Sequence, residues 1–240
     1  MFKASILSFS LMLLLITSPF ANALQGFDAE FGVRLMGVKI GNVDHKMQCH
    51  QNACTLTSEA IPPRWARRFI NESSVETVQL RVNEQQLEWQ SYNKKLERRY
   101  SDRVVQIETD FIYDAQTNRI HYPQKDRTWE AKPNTFDLIS IAYALQFYAQ
   151  KNPNRLPELT LQEEDQQQTI QFRVENKKTR VHLDYKSNLD ARFYEWETEE
   201  HHIKIWLIEE LNLFPGRIDV YNKRVDRRLR LVLNQAPKLH

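Results

Sequence analysis

"NTFDLISIAYALQFYAQKN", residues 134–152, holds no charged side chain between Asp137 and Lys151, in a chain of which 27% is Asp, Glu, Lys or Arg. Leu138, Ile141, Ala142 and Leu145 recur at helical spacing. Ile139, Tyr143 and Phe147 form a second stripe beside the first, leaving only a narrow polar side with Ser140 and Gln146. Pro133 ends the preceding segment, Asn134 or Thr135 is placed to cap, and Asp137 suits the positive end of a helix. A helix apolar nearly all round needs contact over most of its surface. A flat sheet covers one side of it, whereas a strongly curved sheet can wrap it.

The flanking sequence supplies such a sheet. Period-2 alternation, the mark of half-buried strands, recurs on both sides of the helix. "VQLRVNEQQLEWQSY" puts Val78, Leu80 and Val82 on one face, turns at Asn83-Glu84, and resumes with Leu87 and Trp89. "VVQIETDFIYD" alternates through Val105, Ile107, Thr109, Phe111 and Tyr113, and Ile120 and Tyr122 return after "DAQTN". "IQFRVENKKTRVHLDY" reads as a hairpin, with Ile170, Phe172 and Val174 inward, a turn at "ENKK", and Val181, Leu183 and Tyr185 coming back. "HIKIWLI", "RIDVY" and "LRLVLN" complete about ten strands joined mostly by short turns, which favours antiparallel pairing. "EAIPPRWARRFI" (59–70) reads as a short helix with Arg64, Arg67 and Arg68 on a wet side. The expectation is a mainly β chain: a curved antiparallel half-barrel around one apolar helix, with Leu138, Ile141, Tyr143 and Leu145 against its concave face.

The N-terminus reads as a cleaved signal peptide. Lys3 gives a basic start, "ILSFSLMLLLI" an apolar run shorter than the ~20 residues of a membrane span, and "ANA" a site for cleavage after Ala23. The expected product is residues 24–240, one domain exported to a bacterial periplasm and not membrane-spanning. In that oxidising compartment Cys49 and Cys54, with four residues between them, suit a disulfide across a hairpin. A formal charge of +2 calls for no nucleic acid.

Catalytic signatures do not surface. Five glycines, with only Gly216 after Gly41, leave no phosphate loop, and neither G-x-S-x-G nor H-E-x-x-H occurs. His201 and His202 in "EEHH" would point to opposite faces of a strand, which disfavours shared metal ligation. Asp114 and Asp137 read as turn and cap residues rather than an acid–base pair. No catalytic residue, metal or cofactor is assigned.

The ordered set "FDAEFGVRLMGVKIG", "FDLISIAYALQF" and "IKIWLIEELNLFPGRIDVY" resembles domain-of-unknown-function family 3108 of the bacterial envelope, over about residues 27–233. The carriers of the resemblance are Phe27, Ala29, Phe31, Gly37 and Gly41, then Asp137, Leu138 and Ser140, then Trp206 and Pro215. Where that family has a "PLG" turn, "KSNLDARF" stands here. The resemblance implies a fold similar to the periplasmic lipoprotein carriers, which hold acyl chains inside a half-barrel, and it brings no catalytic residues.

Three functions follow as expectations. The first is a non-enzymatic binding protein for a lipid or acyl chain, with a cavity lined by Phe111, Tyr113, Leu138, Ile141, Tyr143, Leu145, Phe172, Tyr185 and Trp206. Arg227, Arg228 and Arg230 would then form a basic rim for an anionic head group at its mouth. The second is a structural or interaction protein of the envelope, meeting an envelope partner, whose core its own helix fills. The third is an enzyme acting on envelope polymers.

Overall fold

A computed structural model describes residues 24–68, 70–83, 85–174 and 179–240. The signal peptide and the "ENKK" turn lie outside these residues. Eight strands run as a meander: β1 (Phe27–Leu35), β2 (Val38–His50), β3 (Ala53–Ala60), β4 (Glu72–Val82), β5 (Leu87–Arg99), β6 (Val104–Asp114), β7 (Arg119–Tyr122) and β8 (Arg127–Glu130). The chain then leaves the sheet through β9 (Thr135–Phe136) and the helix α1 (Ser140–Lys151), followed by β10 (Leu159–Gln162) and β11 (Gln167–Ile170). It re-enters as β12 (Arg173–Val174), β13 (Thr179–Val181), β14 (Leu189–Glu197), β15 (His201–Ile208), β16 (Phe214–Asn222), β17 (Arg227–Leu233) and β18 (Lys238–Leu239).

These strands make one antiparallel sheet of fifteen, in the order β12-β14-β15-β16-β17-β1-β2-β3-β4-β5-β6-β7-β8, with β13 beside β14 and β18 beside β1. The mainly β, curved antiparallel architecture expected from the sequence is present, with more strands because several are only two to four residues long. The sheet is not closed into a barrel. Its two halves meet where β17 pairs with β1, Phe31 opposite Leu233. The helix is therefore the crossover that carries the chain from one sheet edge to the other. A separate small sheet, β11-β10-β9, contains a parallel β9–β10 pair and adds Phe136, Leu159 and Leu161 to the same core.

The helix starts later than its sequence suggests. Thr135 and Phe136 pair as a strand, so neither Asn134 nor Thr135 caps. Asp137 does: its Oδ1 accepts the backbone N–H of Ile139 (2.8 Å) and Ser140 (3.0 Å), while the Ser140 hydroxyl donates to Oδ2 (2.6 Å). Trp89 Nε1–H also donates to Asp137 Oδ2 at 2.8 Å, pinning the cap to β5. Leu138 thus falls in the entry turn and is 43% exposed, contrary to the expectation that it faces the core. From Ser140 to Ala149 every residue of the helix is buried. That includes the expected polar side, where Gln146 Nε2 and Gln150 Nε2 donate to the carbonyl of Asn212.

The hairpin expected at 170–185 is corrected. Ile170 belongs to the small sheet, pairing with Leu159. β12 and β13 both pair with β14, Arg173 opposite Glu195 and Thr179 opposite Ala191. They form an interrupted edge strand rather than two arms. After Val181 the chain leaves the ladder, so Tyr185 is 38% exposed instead of inward. The expected helix at 59–70 is a single 3₁₀ turn, Ala66–Arg68.

Cys49 and Cys54 are directly opposed in the β2–β3 ladder and are disulfide-bonded. The two-residue turn Gln51-Asn52 has Gln51 at φ 54°.

Candidate functional site

The concave face beside the helix is occupied by the protein's own side chains. Ile141, Tyr143, Leu145 and Phe147 on α1, and Phe31, Met47, Leu56 and Val78 on the sheet, are each 0–1% exposed. A void large enough for water would leave accessible surface on its walls, so no such space touches these residues. Tyr143 sits in an aromatic cluster, its ring centroid 4.9 Å from that of Phe27 and 5.9 Å from that of Phe214.

Of the nine side chains expected to line a cavity, Phe111, Ile141, Tyr143 and Leu145 are buried in this core. Phe172 is half-buried at the sheet edge, against Trp196 and Tyr194. Tyr113 is half-buried and lines a groove of about 550 Å³ between the 86–90 and 130–135 segments. Leu138 and Tyr185 are outside. Trp206 is on the other face of the sheet: Ile203, Ile205 and Leu207 alternate inward on β15, which turns Trp206 outward. There it lies between Phe193 (4.9 Å between ring centroids) and the Arg217 guanidinium (4.3 Å).

The concave face carries a polar row that sequence reasoning passed over. The register aligns Ala29, His45, Ser58, Glu76, Lys94 and Thr109 across β1 to β6. The signal was present in the alternation of Val43, His45 and Met47, which places His45 inward. A histidine beside a serine invites a nucleophilic reading, but His45 Nδ1 meets the Tyr143 hydroxyl at 2.7 Å, and both His45 and Ser58 are 4% exposed. Burial pushes the His45 imidazole down to about 4 and the Tyr143 phenol well above its usual range, so both are neutral. Further along, the Tyr92 hydroxyl donates to Glu76 at 2.5 Å, and burial together with that carboxylate keeps the phenol protonated. The row thus runs from a buried His45–Tyr143 hydrogen bond to a half-buried Glu76, which accepts from Tyr92 and lies 3.8 Å from the Lys94 ammonium.

His201 and His202 do face opposite ways, to Glu163 and Glu195, each at 3.1 Å. No group of three or more potential metal ligands occurs among the described residues. The Asp114 carboxylate closes its own turn, accepting from the Thr117 hydroxyl and the Gln116 N–H, contacts that hold it below the usual carboxylate range.

Seven exposed large apolar side chains share one end of the sheet. Alternate turns of an antiparallel meander lie at alternate ends. The turns after β1, β3 and β5 therefore share an end, opposite the helix-capping end where Leu87 and Trp89 lie. The β16–β17 turn joins them, because Met36 N–H donates to the Arg228 carbonyl at 3.0 Å. At this open end Met36 and Val38 stand exposed on the first tip, and Ile61 and Trp65 on the second. Tyr100 and Val104 stand on the third, and Val225 on the fourth; all seven are 44–64% exposed. Cations outnumber carboxylates at each tip, with Lys39, then Arg64 and Arg67, then Arg98, Arg99 and Arg103, then Lys223, Arg224, Arg227 and Arg228. A groove of about 680 Å³ separates the 61–71 loop from the β4–β5 strands. Another of about 640 Å³ lies among Met36, Tyr221, Arg228 and Arg230.

The expected basic rim is only partly at this end and does not act as one face. Arg228 and Arg230 share the outer surface, while Arg227 alternates away from them at the tip. Arg230 is tied to Asp219 at 3.0 Å. Burial alone would raise that carboxyl, yet Arg217 and Arg230 together hold it below the usual range. Arg228 lies 5.3 Å over the Tyr221 ring.

No family model and no curated protein sequence matches this chain.

Proposed function

We propose that this is an exported, non-enzymatic protein of the bacterial envelope that acts by binding a partner at the open end of its sheet, its half-barrel being filled by its own helix. The observation that carries the reading is the pairing of an interior without water-sized space beside α1 and an open end whose four tips expose seven large apolar side chains, three of these tips also carrying arginines with no ion-pair partner among the described residues. The disulfide between Cys49 and Cys54 supports an oxidising compartment. Among the described residues no helix is long and apolar enough to cross a membrane. The sealed His45–Tyr143 pair supports a structural role for the buried polar groups rather than a catalytic one.

Two measurements test this. Native mass spectrometry of protein purified from its own envelope fraction should give the bare polypeptide mass. A stoichiometric acyl-chain adduct would overturn the filled-core reading and restore the cavity. A photo-crosslinker placed at Trp65 or Val225 should capture envelope material, and one at Ile112, an exposed site near the far end of β6, should not. Equal capture at all three positions would overturn the open end as the binding surface.

A further inference from the structure

The partner itself can be inferred from the shape and charge of that end, and this step rests on the open-end reading. We propose that the four tips dock the protein onto an anionic phospholipid bilayer.

A protein partner is ordinarily met by a contiguous patch with an apolar centre and a polar rim. Here the apolar groups are divided among separate projecting tips, with Met36, Trp65, Tyr100 and Val225 as the leading side chains. A planar surface touches only the points that project farthest, and all four project from the same end. Trp and Tyr are suited to the boundary between head groups and acyl chains, since each has an apolar ring and a polar handle.

The charges match. Arg64, Arg103 and Arg227 stand on three of these tips. Arg67 donates to a backbone carbonyl, that of Pro62, at 3.2 Å. Arg103 lies 5.3 Å over the Tyr100 ring, so one tip presents a cation and an aromatic ring together. None of these four arginines has a salt-bridge partner among the described residues, in contrast to Arg98 with Glu72 and Arg224 with Glu200. The β14–β15 turn, also at this end, carries Glu199 and Glu200 and no exposed large apolar residue. Exposed apolar groups and arginines without an ion-pair partner thus occur together on three of the four tips, and both are missing from the β14–β15 turn. The formal charge of the whole chain is only +2, so this concentration orients the molecule toward a negative surface.

The test is cosedimentation of the purified protein with vesicles of phosphatidylethanolamine and phosphatidylglycerol, against vesicles of phosphatidylcholine alone. Binding is expected only to the anionic vesicles, weakening at least about tenfold when the salt is raised well above physiological strength. Trp65→Ser, and separately Arg64→Glu with Arg67→Glu, should each reduce binding about tenfold or more without moving the unfolding midpoint, because these side chains are exposed. Ile112→Ser serves as the control and should bind as the parent does. Equal binding to neutral and anionic vesicles, or binding to neither, overturns the proposal. Lipid-free capture of one envelope protein by crosslinkers at these same tips, with no vesicle binding, would overturn the bilayer and leave the open-end reading standing.

Discussion

Acidification should destabilise this protein through one buried histidine. His45 projects from β2 into the core, flanked in its row by Ala29 and Ser58, with the Phe31 ring 5.1 Å away and the Tyr143 hydroxyl at 2.7 Å. Burial pushes its imidazole down to about 4, against an ordinary value of 6.5. The unfolded chain therefore takes up this proton as the pH falls through 6.5, and the folded chain only near 4. The stabilisation is complete above pH 6.5 and drains away down to about pH 4, by roughly 3 kcal/mol at 1.36 kcal/mol per pH unit. Urea midpoints recorded from about pH 7 to about pH 4 would follow this loss, compared between the parent and His45→Phe/Tyr143→Phe. The double substitution removes both partners, so neither polar group is left stranded. The other six histidines and the carboxylates are common to both proteins and cancel in the difference. The parent should lose stability more steeply than the variant between pH 6.5 and 4. Parallel curves would mean that His45 is reached by water or protonates in the folded state, and the sealed-core argument would fail with them.

Leu145, fully buried, should cost ~2–5 kcal/mol as Leu145→Ala, whereas Gln150→Ala should cost only about 1 kcal/mol for its hydrogen bond to Asn212; equal effects in urea unfolding would place the helix on the surface. Intact-mass analysis of oxidised protein should show two hydrogens fewer than the reduced form, and Cys49→Ala with Cys54→Ala should lower stability by roughly 2 kcal/mol. Gly216 is the unpaired residue where β16 shifts register against β15, and a Cβ there would run into the buried Ile208 side chain. Gly216→Ala should therefore destabilise by about 1–3 kcal/mol, while an unchanged melting curve would show that Ile208 can move aside.

The architecture was legible because two periods reinforce each other. An uncharged run at helical spacing cannot sit in water, and the alternating strands around it have one apolar face to offer. What the period could not show was where a strand stops. "TRVHLDY" keeps its alternation in sequence, yet only Thr179–Val181 finds a partner, because β14 begins only at Leu189, opposite Val181. Tyr185 accordingly passes from inward on paper to exposed. Leu138 misled in the same way: its spacing matches Ile141 and Leu145, but Asp137 takes the cap position and leaves Leu138 in the first, outward turn. A side-chain hydrogen bond decided a helix face that hydrophobic spacing alone assigned wrongly.

The candidate surface was illegible for a different reason. Met36, Trp65, Tyr100 and Val225 are separated by some 30 to 125 residues in the chain and fall in four turns that each look unremarkable. Only the topology shows that alternate turns point the same way, and only the β17–β1 pairing brings the last of them beside the first. The basic runs, by contrast, were visible but misjudged as one rim. In strand register Arg228 and Arg230 lie on the outer face, where Asp219 neutralises Arg230, while Arg227 reaches the tip with no ion-pair partner among the described residues. Alternation thus divides a single run of arginines between a structural ion pair and a free surface charge. The same division explains how a chain with nearly balanced charges can present a cationic end. Its carboxylates are spent on lateral pairs along the strands, and the arginines beyond the last pair remain available to whatever the tips touch.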